Sequence, residues 1–218
     1  MRKTNKIPVR NYVDTHNLAL IWTPNTDKRI VDRNESVALD WAIIHKTALP
    51  KTNNVFTVYL DTNTGLIFTY PAQSRGEAGP SLLKYIQNHG KPKQLLHDNA
   101  KEFYEGEFAK ICTEQGITQT RTPPYDHNKN PTERYIEILT SMTRSLLSIS
   151  GLEPKQFWEH ALEHATCIQN RTALKGRTTP YETEFGRKPD VTHLRIFGCE
   201  AMAYMERDKR HKLESKVE

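Results

Sequence analysis

The order of apolar and polar segments predicts an α/β fold in which a five-stranded mixed sheet is flanked by helices. Three strand-like segments come first, within residues 36–70, and a hairpin turn signal joins the last two. From residue 77 onward, helical segments alternate with two further strand-like segments. Antiparallel strands followed by alternating helices and strands are typical of an α/β architecture with a mixed sheet.

The three early strands contain the first candidate functional residue. One acid, Asp40, interrupts the apolar run 36–44, whereas the segments 55–60 and 66–70 flank a turn that begins at Asp61. A charge inside an apolar run is costly unless it is paired or binds a metal. Asp61 has an ordinary explanation as a turn residue beside Asn and Gly. We therefore select Asp40 rather than Asp61 as the functional carboxylate.

The middle of the chain predicts two helices and two strands. Segments 77–89 and 100–115 have apolar residues at helical spacing, and each ends just before a glycine. A strand is predicted at residues 95–96, between the two helices. The β-prone segment 117–122 follows the second helix and ends at a pair of prolines.

A long helix is predicted to begin at Asn130-Pro131, because Asn is a good N-cap and Pro fits the first helical position. Glu133 lies in its first turn, on a polar face. The opposite face is predicted to pack against the core, since apolar residues recur there at helical spacing: Tyr135, Ile138, Leu139, Met142, Leu146 and Ile149. Another helix, with its own apolar face, is predicted over residues 152–172.

Three acids on separate elements form the candidate site. Asp98 follows the strand at residues 95–96, Glu133 lies at a helix start, and Asp40 lies inside a strand. Carboxylates gathered in one cleft suit divalent-metal chemistry on phosphate, and their mutual repulsion raises their pKa values when no cation is bound. The alternative for Glu133 is an exposed residue favoured by the helix dipole, and spacing alone leaves both open.

Composition limits the class of partner. The net charge of +5 and the isoelectric point of about 9.0 favour a polyanionic partner without by themselves indicating nucleic acid. No apolar run approaches the ~20 residues that span a bilayer, so no membrane is expected. Cys112, Cys167 and Cys199 are odd in number and widely spaced, which favours reduced thiols and an intracellular location.

The acids and their surroundings resemble the catalytic core of retroviral and retrotransposon integrases. Residues 97–103, HDNAKEF, are similar to the Asp-Asn-Gly-x-Glu-Phe of that family, and Pro123-Pro124-Tyr125 and residues 130–134 follow in the expected order. Several downstream motifs are similar to the copia-like subgroup: Phe157-Trp158, Asn170-Arg171, Thr179-Pro180-Tyr181-Glu182, FGRKP at 185–189 and HLRIFGC at 193–199. The resemblance covers about residues 36–216.

The resemblance implies a ribonuclease H-like fold and a polynucleotidyl transferase or endonuclease. Asp40, Asp98 and Glu133 would be its catalytic residues and would hold two Mg²⁺ or Mn²⁺ ions. The implied partners are the DNA ends of the element, target DNA and further copies of the chain, in the nucleus if the host is eukaryotic. Candidate DNA-binding residues surround the acids: Asn99, Lys101, Arg121, Tyr125, Lys129, Asn130 and Arg134.

We expect three parts: an N-terminal arm at 1–35, the catalytic core at 36–172 and a basic extension at 173–218. The resemblance implies that the chain is a segment of a larger polyprotein or a diverged copy. Departures from the family include Glu137 and Thr140, where some relatives place DNA-gripping lysines. An inactive DNA-binding remnant and a ribonuclease H-like nuclease are the alternatives.

A zinc-peptidase pattern is the remaining rival. His160, Glu163 and His164 fit His-x-x-Glu-His, but they interleave with an apolar stripe that already explains their helix. We therefore interpret them as a polar helix face.

Overall fold

The five predicted strands form one mixed sheet. The computed structural model describes residues 33–44, 52–121, 131–173 and 177–201. The strands are β1 (Ser36–Ile43), β2 (Val55–Asp61), β3 (Ile67–Ala72), β4 (Gln94–His97) and β5 (Thr118–Arg121). Their order across the sheet is β3-β2-β1-β4-β5, with β1, β2 and β3 antiparallel and with β4 parallel to both β1 and β5. The predicted mixed sheet is therefore confirmed.

Helices cover both faces of this sheet. They are α1 (Ala78–His89), α2 (Lys101–Tyr104), α3 (Gly106–Gln115), α4 (Pro131–Ser150), α5 (Pro154–Asn170) and α6 (Pro180–Phe185). A 3₁₀ turn, Arg75–Glu77, precedes α1. None of the helices in the described part of the chain is long and apolar enough to cross a membrane.

The single helix predicted over residues 100–115 is wrong, because the chain breaks between α2 and α3. Glu105 has extended backbone angles, and Gly106 has a φ of 67°, in the left-handed region that residues with a Cβ rarely adopt. The Glu105 N–H closes α2 by donating to the Lys101 carbonyl. The glycine therefore separates a one-turn helix next to Asp98 from the longer α3.

Alternation along β1 divides the core into two layers. Val37, Leu39 and Trp41 pack against the layer of α1, α2 and α3, whereas Ala38 and Ala42 pack against the layer of α4 and α5. Successive strand residues point to opposite faces, so residue 40 shares the face of Ala38 and Ala42. Asp40 thus lies on the side of the sheet that α4 covers.

The predicted core face of α4 is only partly correct. Ile149 is 78% exposed, whereas two small polar residues, Thr132 and Thr143, are buried together with Leu139 and Leu147. The sheet-facing stripe is therefore rotated from the one that apolar residues alone indicate. The predicted polar face, which includes Glu133, is exposed along its whole length.

The region after α5 packs on the sheet layer through α6. The Thr179 hydroxyl caps α6 by accepting the Glu182 N–H at 2.9 Å. Arg33 and the fully buried Glu184 form an ion pair with 3.6 Å between Nε and Oε1. The domain bounds at residues 35 and 172 remain a prediction.

The sequence of residues 194–205, LRIFGCEAMAYM, could also form a short hairpin, but residues 194–201 contain no strand, and the rest of that segment lies outside the described residues. Phe197 instead packs against the α4–α5 layer, 5.7 Å from the His164 ring.

Candidate active site

The parallel pairing of β1 with β4 brings two of the predicted acids side by side. Ser36 pairs with Gln94 and Ala38 with Leu96, so each residue of β1 faces the residue 58 positions later. The same offset relates Asp40 to Asp98, which immediately follows β4. In-register residues of neighbouring strands point to the same face of the sheet. Both carboxylates therefore belong to the face that α4 covers.

The first turn of α4 supplies the third acid. Helix α4 packs across β1 and β2, and Glu133 lies exposed in its first turn, with Thr132 buried beside it. The carboxylate is close enough to Asp40 that its charge raises the Asp40 pKa, as does the charge of Asp98. Asp98 and Glu133 therefore both act electrostatically on Asp40, although the three acids come from three separate elements.

Burial is the largest cause of the raised pKa of Asp40. The pKa of Asp40 is raised from 3.8 to about 6, mainly by desolvation. A hydrogen bond from the Trp41 N–H to Oδ1 at 2.7 Å lowers the pKa, whereas the charges of Asp98 and Glu133 raise it further. Repulsion among the acids raises the pKa as expected, but it contributes less than burial. Such a carboxyl is a destabilised anion that a cation would relieve.

A backbone donor also holds the Asp98 carboxylate. Its Oδ1 accepts the Ala100 N–H at 2.9 Å, which closes an Asx turn and leads into α2. The carboxylate is thereby fixed at the point where β4 ends.

Asp61, the rejected alternative, has a structural role. Its Oδ1 accepts the Asn63 N–H, the Thr64 N–H and the Thr64 hydroxyl, and its Oδ2 accepts the Asn34 N–H at 2.6 Å. Asp61 is fully buried and closes the turn between β2 and β3. The interpretation of Asp61 as a turn residue is confirmed.

The donor set fits a hard divalent cation. Mg²⁺ and Mn²⁺ prefer carboxylate oxygens, and Mg²⁺ is usually held by one or two carboxylates together with water and substrate phosphate. Among the residues that the structure describes, no three His, Cys, Asp or Glu side chains already stand close enough to hold a metal ion.

The predicted DNA-binding residues within the described ranges are all exposed. Asn99 and Lys101 lie beside Asp98, and Arg134 lies beside Glu133. Arg121 stacks over the Tyr104 ring, with its guanidinium carbon 4.3 Å from the ring centroid, so an aromatic face holds this cation at the end of β5. The other three predicted residues, Tyr125, Lys129 and Asn130, lie outside the described residues.

Sequence reasoning missed Arg75. Its guanidinium lies 3.6 Å from Glu102 Oε1, and its charge lowers the pKa of Asp40. A basic residue in the polar segment after β3 has no distinguishing pattern in the sequence. Only the fold shows that this segment borders the same cleft as α2.

One residue of the zinc-peptidase pattern has a packing contact. His164 packs against Phe197, and burial lowers its pKa. The interpretation of His160, Glu163 and His164 as a polar helix face stays a prediction.

Sequence comparison finds relatives among transposons. No family model matches the chain. The retrovirus-related Pol polyprotein of transposon TNT 1-94 from Nicotiana tabacum is 26% identical over 172 residues, which are 75% of this chain and 13% of that protein. That of transposon RE2 from Arabidopsis thaliana is 26% identical over 169 residues, which are 74% of this chain and 11% of that protein. These relatives are retrovirus-related Pol polyproteins of plant transposons.

Solved structures with the same fold are retroviral integrase cores. The catalytic core of HTLV-2 integrase in complex with magnesium, in its trimeric form, has a TM-score of 0.56 at 19% identity and covers 69% of this chain and 95% of that one. The catalytic core of BIV integrase has a TM-score of 0.55 at 24% identity and covers 68% and 92%. The simian T-cell lymphotropic virus intasome in complex with PP2A regulatory subunit B56 gamma has a TM-score of 0.60 at 20% identity and covers 88% and 68%. These similarities show the ribonuclease H-like fold that the sequence predicts.

Proposed function

We propose that this chain is the catalytic core of a transposon integrase, which cuts the DNA ends of its element and joins them to target DNA in a metal-dependent reaction. The proposal is supported by the parallel register of β1 and β4, which, continued by two residues, sets Asp40 beside Asp98. It is also supported by the charges of Asp98 and Glu133, which raise the pKa of Asp40. The chain spans only 11–13% of the transposon polyproteins that it matches, so the activity is proposed for this core and not for a whole polyprotein.

The three acids would hold Mg²⁺ or Mn²⁺. Asp40, Asp98 and Glu133 would together supply the carboxylate oxygens that hold two such ions. When bound, the two ions would stabilise the attacking and leaving oxygens of a phosphodiester displacement. Without a cation, the Asp40 carboxylate carries the cost of its burial, which is the reason to expect cation binding here.

The reaction would proceed in two displacements at phosphorus. Water first attacks a phosphodiester near the element's end, the bond to the 3′ oxygen breaks, and a free 3′-hydroxyl forms. That hydroxyl then attacks a phosphodiester of target DNA, joins to it and releases a strand end of the target. Each step exchanges one P–O bond for another, so no covalent enzyme intermediate is needed.

DNA would be held through its phosphates. Lys101, Arg121 and Arg134 are exposed cations near the acids, and Asn99 adds an amide. Such contacts fix position and depend on salt, but carry little sequence information. Tyr125, Lys129 and Asn130 complete the proposed set. Since two element ends must be joined together, we expect a homo-oligomer, which acts in the nucleus if the host is eukaryotic.

The decisive experiment is strand transfer with labelled DNA ends in Mg²⁺ and in Mn²⁺. Asp40→Asn, Asp98→Asn and Glu133→Gln should each abolish cleavage and joining while leaving DNA binding nearly intact. Asp61→Asn is the matched control, and it should remain active at temperatures where it is folded. If Asp40→Asn is active and Asp61→Asn is inactive, then Asp61 rather than Asp40 is the functional carboxylate.

The same assay separates the alternatives. A chain that binds DNA but is inactive in both metals, also within its full-length parent, would be an inactive remnant. Preferential cutting of RNA in an RNA–DNA hybrid would indicate a ribonuclease H-like nuclease instead.

A further inference from the structure

A buried histidine lies directly behind Asp98. His97, the last residue of β4, is fully buried on the face opposite to the acids, between the rings of Phe103 and Phe108 at 5.2 and 6.2 Å. Its Nδ1 lies 2.7 Å from the backbone carbonyl oxygen of Asp98. The proposed reaction gives this ring no chemical task, because it does not face the cleft.

The contact with Asp98 determines which ring nitrogen carries a proton. A carbonyl oxygen only accepts hydrogen bonds, so Nδ1 must donate. The other ring nitrogen, Nε2, lies 3.3 Å from the amide oxygen of Gln119 on β5.

We propose that His97, whose Nδ1–H donates to the Asp98 carbonyl at 2.7 Å, is a positioning residue that fixes the peptide of Asp98 and thereby the metal-binding direction of its carboxylate. The inference rests on the proposed function. Two bonds together orient Asp98: the Ala100 N–H holds its side chain from the front, and the His97 ring holds its carbonyl from behind. Groups that orient a metal ligand in this way affect affinity by roughly 10- to 100-fold.

Two substitutions separate the two ring nitrogens. In His97→Asn, the side-chain NH₂ occupies about the place of Nδ1 and still reaches the Asp98 carbonyl. In His97→Gln, the NH₂ occupies about the place of Nε2, keeps Gln119 as its neighbour and loses the carbonyl. Both remove the ring, so loss of packing is matched between them. Mn²⁺ alone is titrated into the full 218-residue chain by calorimetry, and the melting temperature is measured without metal.

We expect His97→Gln to weaken Mn²⁺ binding about tenfold and His97→Asn to change it by less than about threefold, at similar metal-free melting temperatures. Equal binding by both variants, or an equal loss in both, would overturn the proposal while leaving the proposed function standing. An unaltered chain that binds no Mn²⁺ would refute the proposed function itself, and this inference with it.

A further measurement guards against variants that do not fold. Nitrogen chemical shifts of the His97 ring in the unaltered, metal-free chain should show a proton on Nδ1, and a proton on Nε2 alone would overturn the proposal.

Discussion

Removing the charge of Asp40 should stabilise the metal-free protein, which is unusual for a substitution at a strand position in a protein core. Asn keeps the shape of the side chain and an Oδ1 acceptor for the Trp41 N–H at 2.7 Å. It removes the anion whose burial, together with the charges of Asp98 and Glu133, raises the pKa of this group. Asp40→Asn therefore keeps the favourable contact and deletes the unfavourable charge.

The size of the effect follows from the pKa. A rise from 3.8 to about 6 means that the charged carboxylate is disfavoured in the folded state by about two pKa units. Each unit is worth about 1.4 kcal/mol, so the upper bound is about 3 kcal/mol. Because Asp40 is only half-buried, solvent screening reduces the expected gain to about 1–2 kcal/mol.

Chemical denaturation at a series of pH values, without divalent metal, tests both sign and size. Below about pH 4 the carboxyl is protonated in both states, so the two proteins should be equally stable. Between about pH 4 and 6 the unfolded chain releases the proton first, so the unaltered protein loses stability relative to Asp40→Asn as pH rises. Above about pH 6 the difference should stay constant.

Asp61→Asn is the matched control, with the opposite expected sign. The amide that replaces the Asp61 carboxylate would present an NH₂ group to the Asn34 N–H, which now donates to Oδ2 at 2.6 Å, and a buried donor would lose its acceptor. We expect a loss of about 1–3 kcal/mol. If Asp40→Asn destabilises the protein as Asp61→Asn does, then Asp40 is a structural residue and the electrostatic reasoning is wrong.

Three other outcomes follow from the same site. Mg²⁺ should raise the melting temperature of the unaltered chain but not of Asp40→Asn, with about 1.4 kcal/mol of stabilisation at ten times the dissociation constant; equal responses would place the cation elsewhere. Arg75→Ala should raise the pKa of Asp40 further, seen as a shift of the pH-dependent loss of stability to higher pH, because Arg75 now lowers that pKa. Arg134→Ala should weaken DNA binding alike for all sequences and reduce the salt slope by about 1, whereas Arg144→Ala, about 15 Å further along α4, should do little. Fluorescence anisotropy at several salt concentrations measures this, and equal effects of the two substitutions would contradict a local phosphate contact at Arg134.

The parts of the fold with strong local signals were predictable from the sequence. The hairpin turn after Asp61 and the alternation of helices and strands both carry such signals, and both are confirmed. The break at Gly106 was missed because apolar spacing continued across it. The sheet-facing side of α4 was misjudged because Thr132 and Thr143 are buried, and a pattern that counts apolar residues does not register them.

Only part of the candidate site could be predicted from the sequence. Asp40 was recognisable because a lone acid in an apolar strand needs an explanation, and Asp98 because it follows a strand. That these two face each other depends on β1 lying beside β4, its neighbour in the sheet but not in the sequence. Arg75 and the contact of His97 with the Asp98 carbonyl depend on the same long-range pairing.

Asp40 and Asp61 show how a structure separates a functional carboxylate from a structural one. Both are acids of neighbouring central strands, and on composition alone either would serve as the first ligand. Four donors from two segments saturate Asp61, so its charge is compensated by the fold itself. At Asp40, the effect of burial on the pKa is larger than that of the hydrogen bond from the Trp41 N–H, and the charges of Asp98 and Glu133 raise the pKa further. The fold thus compensates the buried charge of Asp61 but leaves that of Asp40 at a cost in stability, which indicates that a ligand binds at Asp40. Because carboxylate oxygens surround Asp40, a divalent cation is the ligand that fits best.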